Sequence, residues 1–187
     1  MSLSIMLAIL ITYLIAGIPF GLLFAKLLRH KDLRAHGSGN IGATNAMRVG
    51  GKKLGVLTLI ADATKGAIPV LIAKQYDYNL AICVGLSAIL GHIFSIWLRF
   101  KGGKGIATSI AVILSLDIYV GVFTCIFWLI TFLIFQTSAI ASLISMIAML
   151  LGTIFIIQSK YDILFGLVVC LLVFYRHKEN IKNILWS

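Results

Sequence analysis

Acidic residues are scarce in this chain: six of its 187 residues are Asp or Glu and sixteen are Lys or Arg, so the formal net charge is +10. The chain also has only two prolines and three cysteines. Cys83, Cys125 and Cys170 lie in separate apolar runs without metal-ligand spacing or a disulfide framework. We therefore expect no metal site and interpret the cysteines as small core residues.

Apolar residues make up 60% of the chain and the mean hydropathy is +1.06, more than a soluble domain would carry. They form long runs, near the roughly 20 residues that a helix needs to cross a bilayer. The runs cover residues 3–25, 54–73, 80–98, 105–135, 138–157 and 161–175. The first lacks a basic segment and a cleavage site, so it is interpreted as a retained helix.

The fourth run is too long for one span and has Asp117 in its middle. A charge at the bilayer centre costs about 2.5–3.5 kcal/mol on insertion scales, which a helix break at Asp117 avoids. The run then gives two spans, 105–116 and 118–135. The prediction is an all-α integral membrane protein with seven transmembrane helices in a single domain, 1–187.

Seven spans put most of the basic residues on one side of the membrane. Those residues are Lys26, Arg29, Lys31, Arg34, Arg48, Lys52, Lys53, Arg99, Lys101, Lys104, Arg176, Lys178 and Lys182. The other side has only Lys74 and Lys160. By the positive-inside rule the N-terminus is outside and the C-terminus cytoplasmic.

The segment HGSGNIGATNAMR, residues 36–48, is rich in glycine and polar side chains. Glycines let backbone N–H groups approach an anion, and a helix that begins near Asn40 or Thr44 would add a favourable dipole. The alternative is a polar interfacial loop. Gly37, Gly39 and Gly42 match the dinucleotide fingerprint, but that motif must follow a strand, and these residues stand among membrane helices.

A second segment, GHIFSIWLRFKGGKGIATS, covers residues 91–109. Lys101 and Lys104 flank Gly102 and Gly103, and lysine binds phosphate as a point charge. The P-loop pattern does not fit, because position 98 is leucine and position 105 is glycine. A positive-inside anchor would explain the lysines but not the glycines, so an anion site is favoured.

The third segment, RHKENIKNIL, covers residues 176–185 and offers His177 and Asn180. His92, alone near the end of a span, is more often structural in such a position. Asp62 and Lys65 are three residues apart and can pair on one helix face. Two interpretations of that pair stay open, a functional group inside the membrane or a contact that orients the helix.

Carboxylates are nearly absent from the three segments, and no His-x4-Asp motif or Ser-His-Asp arrangement is present. Groups that bind anions are therefore abundant where groups that act as a general base are missing. This imbalance suggests substrates that carry several negative charges and supply part of the acid–base chemistry themselves.

The three segments, with ADATKGAIPV in the second predicted span, closely resemble the bacterial acyl-phosphate:glycerol-3-phosphate acyltransferases, the PlsY family. The resemblance covers essentially the whole chain. It implies a multi-pass enzyme of the bacterial inner membrane whose active site faces the cytoplasm. The enzyme would transfer a fatty acyl group from acyl phosphate to the 1-hydroxyl of glycerol 3-phosphate, giving lysophosphatidate and phosphate, in the first step of phospholipid synthesis.

The resemblance also implies roles for individual residues. The catalytic candidates are Ser38, Asn40, Lys104 and His177. The substrate-binding candidates are Gly37, Gly39, Thr44, Asn45, Arg48, Lys101, Gly102, Gly103, Thr108, Ser142 and Asn180. No metal, cofactor or nucleic acid is implied, and the partners are the two substrates and membrane lipid.

Two other functions compete with this prediction. A small transporter of organophosphate or other anions would also use cationic and glycine-rich segments, but near the bilayer midplane and often with inverted repeats. A non-catalytic interaction module leaves the glycine and polar motifs unexplained. The sequence leaves four points open: the acyl-chain preference, the group that acts as the base, whether the transfer is covalent or direct, and the oligomeric state.

Overall fold

A computed structural model describes residues 2–186 of the chain. Within these residues the regular structure is entirely helical. The helices are α1 Leu3–Ala16, α2 Phe20–Leu27, α3 Ala43–Lys74, α4 Tyr78–Ile93, α5 Ile106–Leu116, α6 Ile118–Phe135, α7 Ser138–Gly152, α8 Lys160–Arg176 and α9 Lys178–Leu185. A 3₁₀ turn, Ile96–Leu98, follows α4, and a π-helical turn, Thr153–Ile157, continues α7.

The first apolar run, interpreted above as a retained helix over residues 3–25, forms two helices. Its two parts, α1 and α2, are bent by 40° at a short break. Pro19 stands at the start of α2. Proline has no backbone N–H and disfavours a helical conformation in the residue before it, here Ile18. Residues 3–25 are mostly apolar, so their composition did not predict this bend.

The predicted break at Asp117 is confirmed. Asp117 is extended, with φ −142° and ψ 119°, and it separates α5 from α6. Its carboxylate accepts a hydrogen bond from the Val120 N–H at 2.8 Å, so it caps the N-terminus of α6. The aspartate therefore lies at a helix end, where an N-cap acceptor is favourable.

Four helical segments in the described part of the chain are long and apolar enough to cross a membrane: Ala43–Lys74, Tyr78–Leu98, Ile118–Phe135 and Ser138–Ile157. The bent α1–α2 pair gives a fifth if it counts as one span. Helix α5 has 11 residues and α8 has 17. The arrangement of seven spans and the orientation of the termini stay predictions.

Helices α3 and α5 run in the same direction, because Asp62 of α3 contacts Thr108 near the start of α5 and the C-termini of both helices meet. The Lys74 ammonium at the end of α3 donates hydrogen bonds to the carbonyls of Ser115 and Leu116 at 3.1 and 2.7 Å. The segments that precede the two helices, which contain the first and second motifs, consequently lie at the same end of the bundle.

The main core lies among α3, α4, α5, α7 and α8, and includes Val70, Ile89, Val112, Met146 and Val169. Large apolar side chains on α6 instead face outward, as expected for a surface in contact with lipid. The prediction for the cysteines is confirmed only for Cys170, which is buried. Cys125 is half-buried and Cys83 is exposed on the apolar surface, because only some faces of these helices are packed.

Candidate active site

Asn45 holds the first motif together. Its side-chain amide donates to the carbonyls of Leu33, His36 and Asn40 at 3.0, 3.0 and 2.8 Å. Its carbonyl oxygen accepts the backbone N–H of Ser38 at 2.9 Å. The side chain is buried, and one residue thus fixes the path of the chain from position 33 to position 45.

Gly37 is required by this arrangement. Its φ is +64°, and a Cβ at this position would collide with the Asn45 side-chain oxygen. The polar groups of Ser38, Thr44 and Arg48 around it are exposed. Their side chains make no hydrogen bond or ion pair with other residues between 2 and 186, so they remain available to a ligand.

The N-terminus of α3 belongs to the same motif. The helix begins at Ala43, between the two starts considered above, and the N-cap residue Gly42 has no side chain to cap it. The N–H groups in the first turn of a helix lack intrahelical partners, and the helix dipole favours an anion there. The exposed Thr44 and Arg48 lie on this first stretch of α3, which is interrupted at Gly51.

The second motif folds as a loop over the end of α4. The Gly102 N–H donates to the carbonyl of Ile93 at 3.0 Å, and the Gly103 N–H donates to that of His92 at 3.1 Å. The Arg176 guanidinium donates to the carbonyls of Gly102 and Gly103, at 2.8 and 3.2 Å. Residues 102–103, here called the glycine loop, are thus fixed from two sides.

Lys104 follows the glycine loop and meets the third motif. Its ammonium donates a hydrogen bond to the side-chain oxygen of Asn180. Burial, and then the positive charge of Arg176, lower the pKa of Lys104 from its ordinary value. The ammonium therefore sits in a partly desolvated place, where its interaction with an anion is stronger than in water.

His177 is buried between α8 and α9 as a neutral ring. The pKa of His177 is lowered to about 4. Burial is the largest cause and the positive charges of Lys104 and Arg176 lower the pKa further, while the hydrogen bond to Val173 raises it. Nδ1 lies 2.9 Å from the carbonyl of Val173. Because a carbonyl only accepts, Nδ1 carries the proton, and Nε2 is left as an acceptor.

Two predicted binding residues have hydroxyls that are used inside the bundle. Thr108 is fully buried and donates to the carbonyl of Asp62 at 3.0 Å, joining α5 to α3. Ser142 donates to the carbonyl of Ser138 at 2.7 Å and accepts from the indole N–H of Trp128 at 3.4 Å. Lys101, by contrast, is exposed.

The structure therefore brings the second and third motifs into direct contact. The first motif lies at the same end of the bundle, but no hydrogen bond or ion pair within residues 2–186 joins residues 37–48 to the glycine loop or to Lys104. Arg176 was missed as a site residue by the sequence argument, which used it only to orient the chain. Its position directly before His177 was the feature of the sequence that could have identified it as a site residue.

Asp62, Lys65 and His92 also meet, and His92 contacts the glycine loop. The Lys65 ammonium lies 2.7 Å from a carboxylate oxygen of Asp62, so the pairing that the spacing permitted is confirmed. His92 Nδ1 lies 3.6 Å from the same oxygen. The contact with His92 could not be read from spacing, because His92 is on another helix.

Comparison with known proteins gives a consistent result. The sequence model of a family described as glycerol-3-phosphate acyltransferase matches residues 6–187. The glycerol-3-phosphate acyltransferase of Pelagibacter ubique is 43% identical over 173 residues, 92% of this chain and 90% of the relative. That of a Wolbachia pipientis strain is 43% identical over 180 residues, 95% and 93% of the two chains.

Two solved structures also match. One is PlsY (YgiH), an integral membrane glycerol 3-phosphate acyltransferase in its glycerol 3-phosphate form, with a TM-score of 0.93 and 37% identity over 97% of this chain and 92% of that one. The lysophosphatidic acid form has a TM-score of 0.90 and 35% identity, with the same coverage. Fold and sequence therefore agree along nearly the full length.

Proposed function

Because the chain belongs to the glycerol-3-phosphate acyltransferase family, it is an acyltransferase enzyme of glycerol 3-phosphate, and we propose that its acyl donor is acyl phosphate. The acyl group goes to the 1-hydroxyl, and the products are lysophosphatidate and inorganic phosphate. The solved PlsY structures contain glycerol 3-phosphate and lysophosphatidic acid, and both ligands suit this reaction.

The observation that carries the proposal is a group of cations without acidic partners. Lys104 and Arg176 flank the glycine loop, and neither forms an ion pair with a carboxylate of residues 2–186. Lys101 and Arg48 are likewise unpaired within the described chain. Partly buried cations are costly unless an anion compensates them, and two phosphorylated substrates would do so.

The reaction needs little from the protein besides position and charge. The oxygen of the 1-hydroxyl attacks the carbonyl carbon of acyl phosphate and forms the ester bond. The bond from that carbon to the phosphate oxygen breaks, and phosphate leaves with the electron pair. The hydroxyl proton passes to a phosphate oxygen of a substrate. Holding two reactants in place can supply about 7–11 kcal/mol in favourable cases.

Each site residue has a role in this proposal. Lys104 and Lys101 bind phosphate, and Arg48, Thr44 and the α3 N-terminus receive the second anion. Ser38 and Asn40 provide donors for the oxyanion that develops on the carbonyl. His177 orients a substrate, and Asn180 orients Lys104. The shape of the site is set by seven further residues: Asn45, Thr108, Ser142, Gly37, Gly39, Gly102 and Gly103.

Ser38 acts as a donor and not as a covalent nucleophile. A serine nucleophile requires a base within hydrogen-bond reach, and the Ser38 hydroxyl has no such partner among the described residues. Trapping of an acyl-enzyme would overturn this assignment.

The setting of the reaction is proposed as the sequence predicts it. One domain crosses the bacterial inner membrane seven times, and the three motifs face the cytoplasm. The acyl chain stays among the apolar helices at the bilayer edge. The proposal requires no metal, cofactor or nucleic acid.

The test uses the purified protein with glycerol 3-phosphate and palmitoyl phosphate. We expect lysophosphatidate and phosphate in equal amounts, and no product when palmitoyl-CoA replaces the acyl phosphate. Product from palmitoyl-CoA alone would contradict the proposed donor. Uptake of glycerol 3-phosphate into sealed vesicles without product would favour the transporter.

A further inference from the structure

The buried ion pair of Asp62 and Lys65 lies beside His92, the residue that contacts the glycine loop. Both side chains are almost fully buried, at 4% and 3% exposed. The Lys65 ammonium also donates to the carbonyl of Ile18 at 3.0 Å and lies 5.6 Å from the centre of the Phe20 ring. Three contacts thus hold the Lys65 ammonium, whereas the carboxylate of Asp62 has a second neighbour on α4.

That neighbour is His92, whose Nδ1 lies 3.6 Å from the Asp62 oxygen that Lys65 contacts. The separation exceeds hydrogen-bond length, and Nδ1 has no hydrogen-bond partner among the described residues. A buried ring nitrogen without a partner is costly. The Asp62 carboxylate is an anionic neighbour of this edge of the ring.

The Nε2 edge of the imidazole contacts the glycine loop. A Cβ at Gly103 would overlap Nε2 and its neighbouring ring carbons, and a Cβ at Gly102 would overlap the carbonyl of His92. The loop therefore rests on the ring and on the backbone of the same residue. Any shift of His92 must move residues 102 and 103, and with them Lys104.

Asp62 is joined to the segment after the loop as well. Its backbone carbonyl accepts the hydroxyl of Thr108 at 3.0 Å, and Gly66, one turn along α3, is packed against Thr108. Position 62 thus touches α4 before the loop and α5 after it.

We propose that Asp62 and His92 are positioning residues for Lys104: the Asp62 carboxylate orients the His92 ring, and the ring fixes the glycine loop that presents the ammonium to phosphate. Lys65 compensates the charge of Asp62. This inference rests on the proposed function, since it assigns Lys104 to phosphate binding.

The test measures KM for glycerol 3-phosphate, kcat and thermal stability for His92→Ala and His92→Asn. We expect KM to rise about tenfold in the alanine variant, within the range of couplings carried through packed side chains. Asparagine retains a donor near the position of Nδ1, so it should recover part of the loss. Values of KM and kcat within twofold of the parent enzyme in both variants would overturn the proposal.

Asp62→Asn leaves Lys65 as an unpaired buried cation, which can prevent folding. The double variant Asp62→Asn, Lys65→Met removes both charges together and should fold. If Asp62 acts on His92, KM stays raised in the double variant. A return to the parent KM would mean that Asp62 serves only Lys65, and the proposal would be wrong.

Tyr78→Phe is the matched control for a purely structural effect. Tyr78 lies at the opposite end of α4 from His92 and donates to the fully buried carboxylate of Asp162 at 2.8 Å. Its loss should lower the melting temperature and leave KM unchanged.

A second readout separates this inference from the proposed function. The rate at which an amine-reactive reagent modifies Lys104, followed by mass spectrometry, reports the position of the ammonium without turnover. We expect it to change in His92→Ala and not in Tyr78→Phe. An unchanged rate would contradict positioning, whereas a parent enzyme inactive with palmitoyl phosphate would contradict only the proposed donor.

Discussion

Lys104 and Asn180 are 76 positions apart in the chain, yet the ammonium of the lysine donates a hydrogen bond to the side-chain oxygen of the asparagine. The contact joins the loop between α4 and α5 to the last helix. The acceptor is a neutral amide oxygen, so the half-buried ammonium of Lys104 keeps its positive charge available to an anionic substrate.

Replacement of Lys104 by alanine should lower kcat/KM about 100-fold or more, the scale of losing one donor to developing charge. The expected loss comes from the phosphate contact, so the melting temperature should change little. Lys160→Ala is the control, because Lys160 lies at the start of α8, the end opposite Arg176. Equal activities of the two variants would contradict the role of Lys104.

Asn180→Asp should raise KM for glycerol 3-phosphate. The substitution keeps the shape of the side chain but places a negative charge beside Lys104, where it competes with the substrate phosphate. Steady-state kinetics measure the effect, and Asn183→Asp, an exposed change on the same helix, should be nearly neutral. A lower KM in Asn180→Asp would refute the argument from charge.

Arg176→Lys should reduce activity although it preserves the charge. The guanidinium reaches two carbonyls at once, Gly102 and Gly103, and a lysine ammonium cannot reproduce that fork. Arg29→Lys, in an exposed position, serves as the control. Full activity of Arg176→Lys would show that only the charge matters.

Asn45→Asp should destabilise the loop of residues 33–45. The carboxylate cannot donate to the carbonyls of Leu33, His36 and Asn40. The carbonyl of Leu33 is buried, and such a group left without a partner costs about 1–3 kcal/mol. Limited proteolysis should detect faster cleavage in this loop. Asn79→Asp, exposed in the first turn of α4, should leave the cleavage rate unchanged.

Acid should weaken the fold through His177. Its folded pKa of about 4 lies below the ordinary value of about 6.5, so between these values the unfolded chain binds the extra proton. The free energy of unfolding therefore falls as the pH drops from about 6.5 to about 4. Melting temperatures across this range should show a smaller dependence for His177→Gln, and an equal slope in both proteins would exclude His177 as the cause.

Some features could be predicted because their causes are local. The helix break at Asp117 follows from one carboxylate in an apolar run, and the Asp62–Lys65 pair follows from a spacing of three on one helix. The bend before Pro19 was missed, although proline is itself a local cause, because the apolar composition continues through it.

The roles of individual polar residues were harder to predict. Ser38 and Thr108 look alike in the sequence, as hydroxyls within three residues of a glycine. The structure leaves Ser38 exposed and buries Thr108 against the carbonyl of Asp62. Burial depends on which helix packs alongside, and residue spacing carries no information about that.

The sequence by itself determined that this protein consists of apolar helices and that glycine and polar side chains concentrate in three short segments, because hydropathy and glycine content are properties of the chain alone. The tertiary structure decided which groups meet: Lys104 with Asn180, Arg176 with the glycine loop, and His92 with both Asp62 and Gly103. These contacts join residues on different helices, so they exist only once the helices have packed.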